Sequence, residues 1–253
     1  MIGPLLLVIT WILLRFEGRG LGAIGLNRWK RRTVEFAVGL VLMAGAATLQ
    51  QLCAALSADD RFVFNTALTL GRLGDGVRFV VNSVLYEELL FRGYLLFQAI
   101  RWLGPGRAVA LDAVVFGAYH WFSYGVLGNP VAMAYVFALT GAFGFMLARS
   151  FVATGSVAAP VGLHLGWNAA VQLLFSTGPL GAMVLIPSSG AAKMHASGAW
   201  SLVISLLFPL AVVAMVVLLC RRYERTRSIP ADALGQRAQD PARLDRSSSI
   251  GEI

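Results

Sequence analysis

The chain has 253 residues, 57% of them hydrophobic and 13% charged, with a mean hydropathy of +0.70. A soluble domain carries about 25% charged residues, so this composition excludes an ordinary soluble enzyme and points to a polytopic membrane protein. The formal net charge of +8 sits in short stretches beside apolar runs, Arg28-Trp29-Lys30-Arg31-Arg32 and Arg221-Arg222 among them. No aromatic residues are spaced to stack bases, so nucleic acid is excluded as a partner, and the pattern fits cytoplasmic loops beside anionic headgroups.

In chain order, residues 2–14 are apolar but shorter than the roughly 20 residues a crossing needs. They read as a tilted or truncated first helix. They make a poor signal peptide, with no basic stretch before them and no small-residue cleavage site after them. Residues 15–32 follow with six basic residues and one acid. Clear spans are expected at 34–57, 78–100, 107–122, 130–148, 156–175 and 199–220. A polar loop covers 59–76 and a Gly/Ser/Pro-containing loop covers 176–198. From Arg221 onward the chain is rich in Arg, Asp, Ser and Ala and is expected to be disordered.

Loop charges test this layout. With 15–32 in the cytoplasm, Arg101, Arg107, Arg149 and the Arg221–Arg227 cluster all fall on the same side. The expected fold is therefore all-α: a polytopic bundle of about seven (six to eight) transmembrane helices, N-terminus outside and C-terminus cytoplasmic. Three regions are expected: 1–33, a short helix and basic loop; 34–220, the membrane domain with its core at 76–175; and 221–253, the tail. Gly and Ala are frequent in the helices, which suits close packing in lipid.

Cys53 and Cys220 lie far apart in apolar runs and read as packing residues. No CxxC and no Cys/His cluster occurs, so no structural zinc is expected.

The ionisable residues inside the spans are few, and such residues are costly enough to suggest function. In YEELLFRGY, Glu87 and Glu88 point about 100° apart on a helix. Arg92 lies four residues after Glu88, at salt-bridge spacing. Glu88 and Arg92 then neutralise each other and Glu87 faces elsewhere; the alternative is a purely structural ion cluster. In FGAYH, Phe116 and His120 share a helix face, although a lone His near a span end is also at home in an aromatic belt. In HLGWN, His164 and Asn168 share a face, although Asn also serves as glue between helices. Ser156 is placed to cap the helix that carries them. His195, in the outer loop, is assigned to the surface.

One spare carboxylate, two histidines and an asparagine suffice for hydrolysis. Glu plus His can take a proton from water, and His plus Asn can hold the developing oxyanion. No GxSxG and no HExxH occurs. A Glu/His/His metal site is possible by ligand count but has no diagnostic spacing. The linear layout also holds a conflict: it puts His120 near the outer end of its span and His164 in the inner half of its own.

EExxxR (Glu87, Glu88, Arg92), FxxxH (Phe116, His120) and HxxxN (His164, Asn168), in this order on successive helices, resemble the CAAX-protease and bacteriocin-processing family. It is also called the ABI or type II CAAX prenyl endopeptidase family. The flanking EELLFRGYL and ATGSVAAPVGLHLGWN match as well, and the resemblance covers roughly 76–175. It implies an intramembrane endopeptidase of the bacterial inner membrane that acts on a membrane-embedded peptide or protein. Glu87 and His120 would activate water, His164 and Asn168 would form the oxyanion hole, and Glu88, Arg92 and Phe116 would support them. The resemblance favours a metal-independent mechanism with no cofactor. Two other readings stand beside it: a non-catalytic bacteriocin-immunity-type protein that keeps the fold, and a transporter, which the absence of an inverted repeat disfavours.

Overall fold

The structure is a computed structural model and describes residues 2–226. It is mostly helical. Helix α1 (Ile2–Phe16) leads through a 3₁₀ turn (Leu21–Ile24) to α2 (Trp29–Ser57). Helix α3 (Leu70–Leu89) passes through a π turn (Leu90–Leu95) into α4 (Leu96–Ser123), and α5 (Pro130–Thr154) follows. Helix α6 (Ala158–Asn168) also ends in a π turn, at Ala169–Leu174. The short α7 (Trp200–Leu202) and a third π turn (Val203–Leu207) lead into α8 (Phe208–Thr226).

Local chemistry sets several of these ends. Thr69 Oγ1 accepts from the Arg72 N–H at 3.2 Å and starts α3. Asn129 Oδ1 accepts from the Ala132 N–H at 3.1 Å, with Pro130 behind it in the first turn of α5. Ser156, expected to cap α6, lies one residue before its N-cap Val157, yet its Oγ accepts from the Ala158 N–H at 3.0 Å. The boundary expected between 78–100 and 107–122 shrinks to one residue. Gly104, at φ +76° and ψ 163°, breaks α4 just before Pro105, and only glycine takes that conformation freely.

Among the described residues, three helices are long and apolar enough to cross a membrane: Leu21–Ser57, Pro130–Thr154 and Trp200–Thr226. The other expected crossings are helical but do not meet that description. Helix α1 has 15 residues and the regular part of α6 has 11. Helix α3 carries Arg72, Asp75, Arg78, Glu87 and Glu88, and α4 is broken at Gly104.

The packing explains the glycines. A Cβ on Gly162 would lie 2.2 Å from the Phe36 carbonyl oxygen, and one on Gly166 would lie 2.2 Å from that of Leu40. Helix α6 therefore sits directly against the backbone of α2, in the small-residue manner of membrane helix pairs. Gly117 and Gly141 let α4 and α5 meet in the same way. One apolar core joins Leu14, Ile24, Leu96, Phe97 and Phe151; a second joins Met43, Met146, Leu163, Val213 and Val216.

Two expectations are corrected. The fold is not purely helical, because the two long loops at 59–76 and 176–198 meet in a small sheet. Strand β1 (Phe62–Phe64) runs antiparallel to β2 (Leu185–Pro187), with Phe62 opposite Pro187 and Phe64 opposite Leu185. Three-residue strands are too short to show alternation in a sequence. Beside the sheet, Asp60 accepts from Ser188 Oγ and Ser189 Oγ at 2.6 Å each and from the Arg61 N–H at 2.7 Å. These bonds hold its carboxyl down at about 2. The second correction concerns the tail. Residues 227–253 lie outside the described residues, but 221–226 continue α8. Arg149 donates to Glu224 at 2.6 and 2.8 Å, and Arg31 to Tyr223 at 3.2 Å, so this charged run is tied to the bundle.

Candidate active site

Three elements bring the motif residues together. Glu87 and Glu88 end α3, and the π turn that follows places Arg92 over them. Helix α4 supplies Phe116 and His120, and α6 supplies His164 and Asn168. Regular α-helix was the basis for reading Glu88 and Arg92 as a pair. The chain instead widens to a π turn here, and Gly93 leaves helical geometry at ψ −120°. Such turns are frequent at functional sites. The pair still forms: Arg92 Nη1 lies 3.2 Å from Glu88 Oε1, with both side chains fully buried.

Glu88 Oε1 also lies 2.7 Å from His164 Nδ1. Arg92 donates from Nη2 to the Gly144 carbonyl at 3.2 Å, and its guanidinium lies 4.1 Å above the Phe116 ring. A desolvated contact of that kind is worth about 2 kcal/mol. Arg92 has a further partner that the motif reading missed. Asp112 Oδ2 stands 2.8 Å from Nη2. The contact is close but poorly aligned for a hydrogen bond, so it is held as an ion pair. Asp112 was visible as a lone acid in an apolar run, four residues before Phe116 and eight before His120, on their helix face.

Glu87 is placed differently. Its Oε2 is buried, accepts no hydrogen bond, and stands 3.9 Å from Nε2 of His120 and 3.9 Å from Nε2 of His164. That exceeds the hydrogen-bond range of about 3.2 Å, so the carboxylate faces both rings without being locked to either. His120 Nδ1 lies 2.7 Å from the Phe116 carbonyl oxygen. A carbonyl only accepts, so Nδ1 carries the proton and a neutral ring turns its lone pair at Nε2 toward Glu87. Phe116 thus both packs under Arg92 and sets the His120 ring. Asn168 is half-buried one turn after His164 and forms no hydrogen bond among the described residues. His195 is exposed in the loop at 176–198. Among the described residues, no group of three or more His, Cys, Asp or Glu side chains is arranged to hold a metal ion.

The conflict over depth resolves in space, because Glu87 Oε2 stands 3.9 Å from Nε2 of both His120 and His164. The Thr154 carbonyl accepts from Arg31 at 3.3 Å and from Arg32 at 3.1 Å, which marks the basic end of α5. Gly144 lies ten residues before it, about 15 Å up, and His164 eight residues after Ser156, about 12 Å up. The second half of α4, from Pro105 to Ser123, is about 28 Å long against about 37 Å for α5. By the same rise His120 lies about 22 Å along α4 from Pro105, so helix lengths alone do not bring it level with His164.

Residues 69–170 match the family model described as Type II CAAX prenyl endopeptidase Rce1-like. The similarity to that family covers this segment, less than half of the chain. No curated protein and no solved structure matches the chain. The matched segment contains every candidate residue from Glu87 to Asn168, and Asp112 with them. It supports a protease-type enzyme, and with the three long apolar helices it points to a membrane protein.

Burial of Glu88, Arg92 and Asp112 is by itself weak evidence for added stability. Desolvating each ion costs several kcal/mol, which good pairing about offsets.

Proposed function

We propose that the protein is an intramembrane endopeptidase that hydrolyses a peptide bond of a membrane-embedded peptide or protein. The observation that carries this reading is the Glu87 carboxylate facing Nε2 of two histidines from two other helices, at 3.9 Å each. A water between Glu87 and His120 gives up a proton to them as its oxygen attacks the carbonyl carbon. The resulting oxyanion takes hydrogen bonds from the Asn168 carboxamide and from His164 Nε2. His164 already donates from Nδ1 to Glu88, so a proton on Nε2 makes the ring an imidazolium whose charge Glu88 balances at 2.7 Å. The intermediate collapses as the proton held by Glu87 and His120 passes to the leaving nitrogen and the C–N bond breaks. No step uses a cofactor.

The proposed setting is the bacterial inner membrane, crossed about seven times with the C-terminus in the cytoplasm. Support comes from charge. Arg31, Arg32 and Arg149 gather at one end of the bundle, while Asp60 joins the outer loops at the other.

The test is cleavage of a membrane-anchored reporter peptide by the purified protein in lipid vesicles. Glu87→Ala should insert and fold as the parent does and lose cleavage by about 100-fold or more. Cleavage at the parental rate by that variant would remove the reading.

A further inference from the structure

Asp112 belongs to none of the three motifs, yet it is the nearer carboxylate of Arg92, at 2.8 Å against 3.2 Å for Glu88. Both side chains are nearly or fully buried. An arginine needed only to neutralise Glu88 would gain little from a second acid. That acid brings a desolvation cost of several kcal/mol, and Nη2 already has the Gly144 carbonyl to donate to.

The arrangement makes sense as a chain of contacts. Asp112 on α4 holds Nη2 of Arg92. Arg92 offers Nη1 to Glu88 Oε1. The same Oε1 takes Nδ1 of His164 at 2.7 Å, while Glu88 Oε2 takes nothing. The Phe116 ring beneath the guanidinium restrains its plane, so pulling one nitrogen toward Asp112 fixes where the other points. Without Asp112, Arg92 is free to turn onto both oxygens of Glu88 as a fork, the geometry that arginine and carboxylate prefer. Glu88 would then compete for Arg92 where it now accepts from His164.

From these contacts we infer that Asp112 is a positioning residue: through Arg92 and Glu88 it sets the orientation of the His164 ring. The inference rests on the proteolytic reading for its effect on rate, but not for its effect on the ring.

The experiment compares parent, Asp112→Asn and Asp112→Glu as purified full chains in lipid vesicles, with the membrane-anchored reporter peptide and with ¹⁵N-labelled histidine. In Asp112→Asn, kcat should fall on the order of 10- to 100-fold, as for outer partners of functional histidines, with KM within about twofold of the parent. The His164 Nδ1 resonance should move while that of His120 stays. Asp112→Glu should fall between the other two in both readouts. Unchanged kcat per folded enzyme together with an unmoved His164 resonance overturns the inference and leaves Asp112 a structural ion. If the parent does not cleave, the proteolytic reading falls and the His164 resonance alone decides the inference. If Asp112→Asn does not fold, Asp112→Glu decides it: a displaced His164 resonance supports it and an unmoved one overturns it.

Discussion

Glu87 and Glu88 are neighbours in sequence, yet they face the same histidine ring from its two ends. Glu88 Oε1 takes Nδ1 of His164 at 2.7 Å, and Glu87 Oε2 stands 3.9 Å from Nε2. One carboxylate is committed by contact and the other is held just out of hydrogen-bond reach. The two acids therefore call for different variants.

Removing Arg92 alone should be worse than removing Glu88 and Arg92 together. Arg92→Met leaves Glu88 and Asp112 as buried carboxylates without their cation, and breaking a buried pair in this way costs about 3–5 kcal/mol. Glu88→Met with Arg92→Met removes one of the two stranded charges and restores part of the loss. Thermal unfolding in detergent should rank the parent first, the double variant second and Arg92→Met last. A double variant less stable than Arg92→Met would contradict this account of the cluster.

The contact between α2 and α6 offers a packing test away from the chemistry. A methyl group on Gly166 meets the Leu40 carbonyl oxygen at 2.2 Å, an atom of backbone that cannot rotate aside. Gly166→Ala should destabilise the fold by about 1–3 kcal/mol, the usual range for overpacking. Gly45→Ala is the control, because nothing lies within 4 Å of a Cβ there. Equal melting temperatures for the two variants would mean that α2 and α6 are not in close contact.

The motif geometry was readable because it depends on short-range periodicity. Glu88 with Arg92, Phe116 with His120, and His164 with Asn168 are each four residues apart, and each pair falls on one side of its element. What joins these pairs was not readable. The Arg92–Asp112 contact crosses between elements, and a lone acid does not announce a partner twenty residues earlier. The π turns at Leu90–Leu95 and Ala169–Leu174 widen the backbone without a composition of their own. The short first segment hid a further cluster. Glu17, just beyond α1, accepts from Tyr94, Gln98 and Arg101, which explains why this acid stands in a basic loop. The helical run at 221–226 escaped notice for a similar reason, since Arg149, which pairs with Glu224, lies seventy-five residues away.

The loops joined at Asp60 should loosen in acid. The Asp60 carboxyl is held at about 2 by two serine hydroxyls and one backbone N–H, below the value of about 3.9 in an unfolded chain. A lowered folded-state value means that its contribution is fully present above about 4 and is lost as pH falls toward 2. Amide exchange at Phe62–Phe64, compared at each pH with Asp60→Asn, should show protection in the parent at pH 6. The difference should shrink as pH falls below 4. A constant difference across that range would assign the protection to something other than the Asp60 carboxylate.

Asn168 separates a chemical role from a packing one. Asparagine between membrane helices usually earns its place by hydrogen-bonding a neighbour, at about 0.6 kcal/mol on average. Asn168 makes no such bond here, although it sits half-buried one turn beyond His164. Asn168→Ala therefore breaks no native hydrogen bond, and its melting temperature should match that of the parent. If its carboxamide donates to the oxyanion, the same variant should lose about 100- to 1,000-fold in kcat with KM little changed. Asn168→Asp keeps the size and loses the donor, so it should be equally slow. A stable Asn168→Ala that still cleaves at the parental rate would take Asn168 out of the oxyanion hole and leave that task to His164 alone.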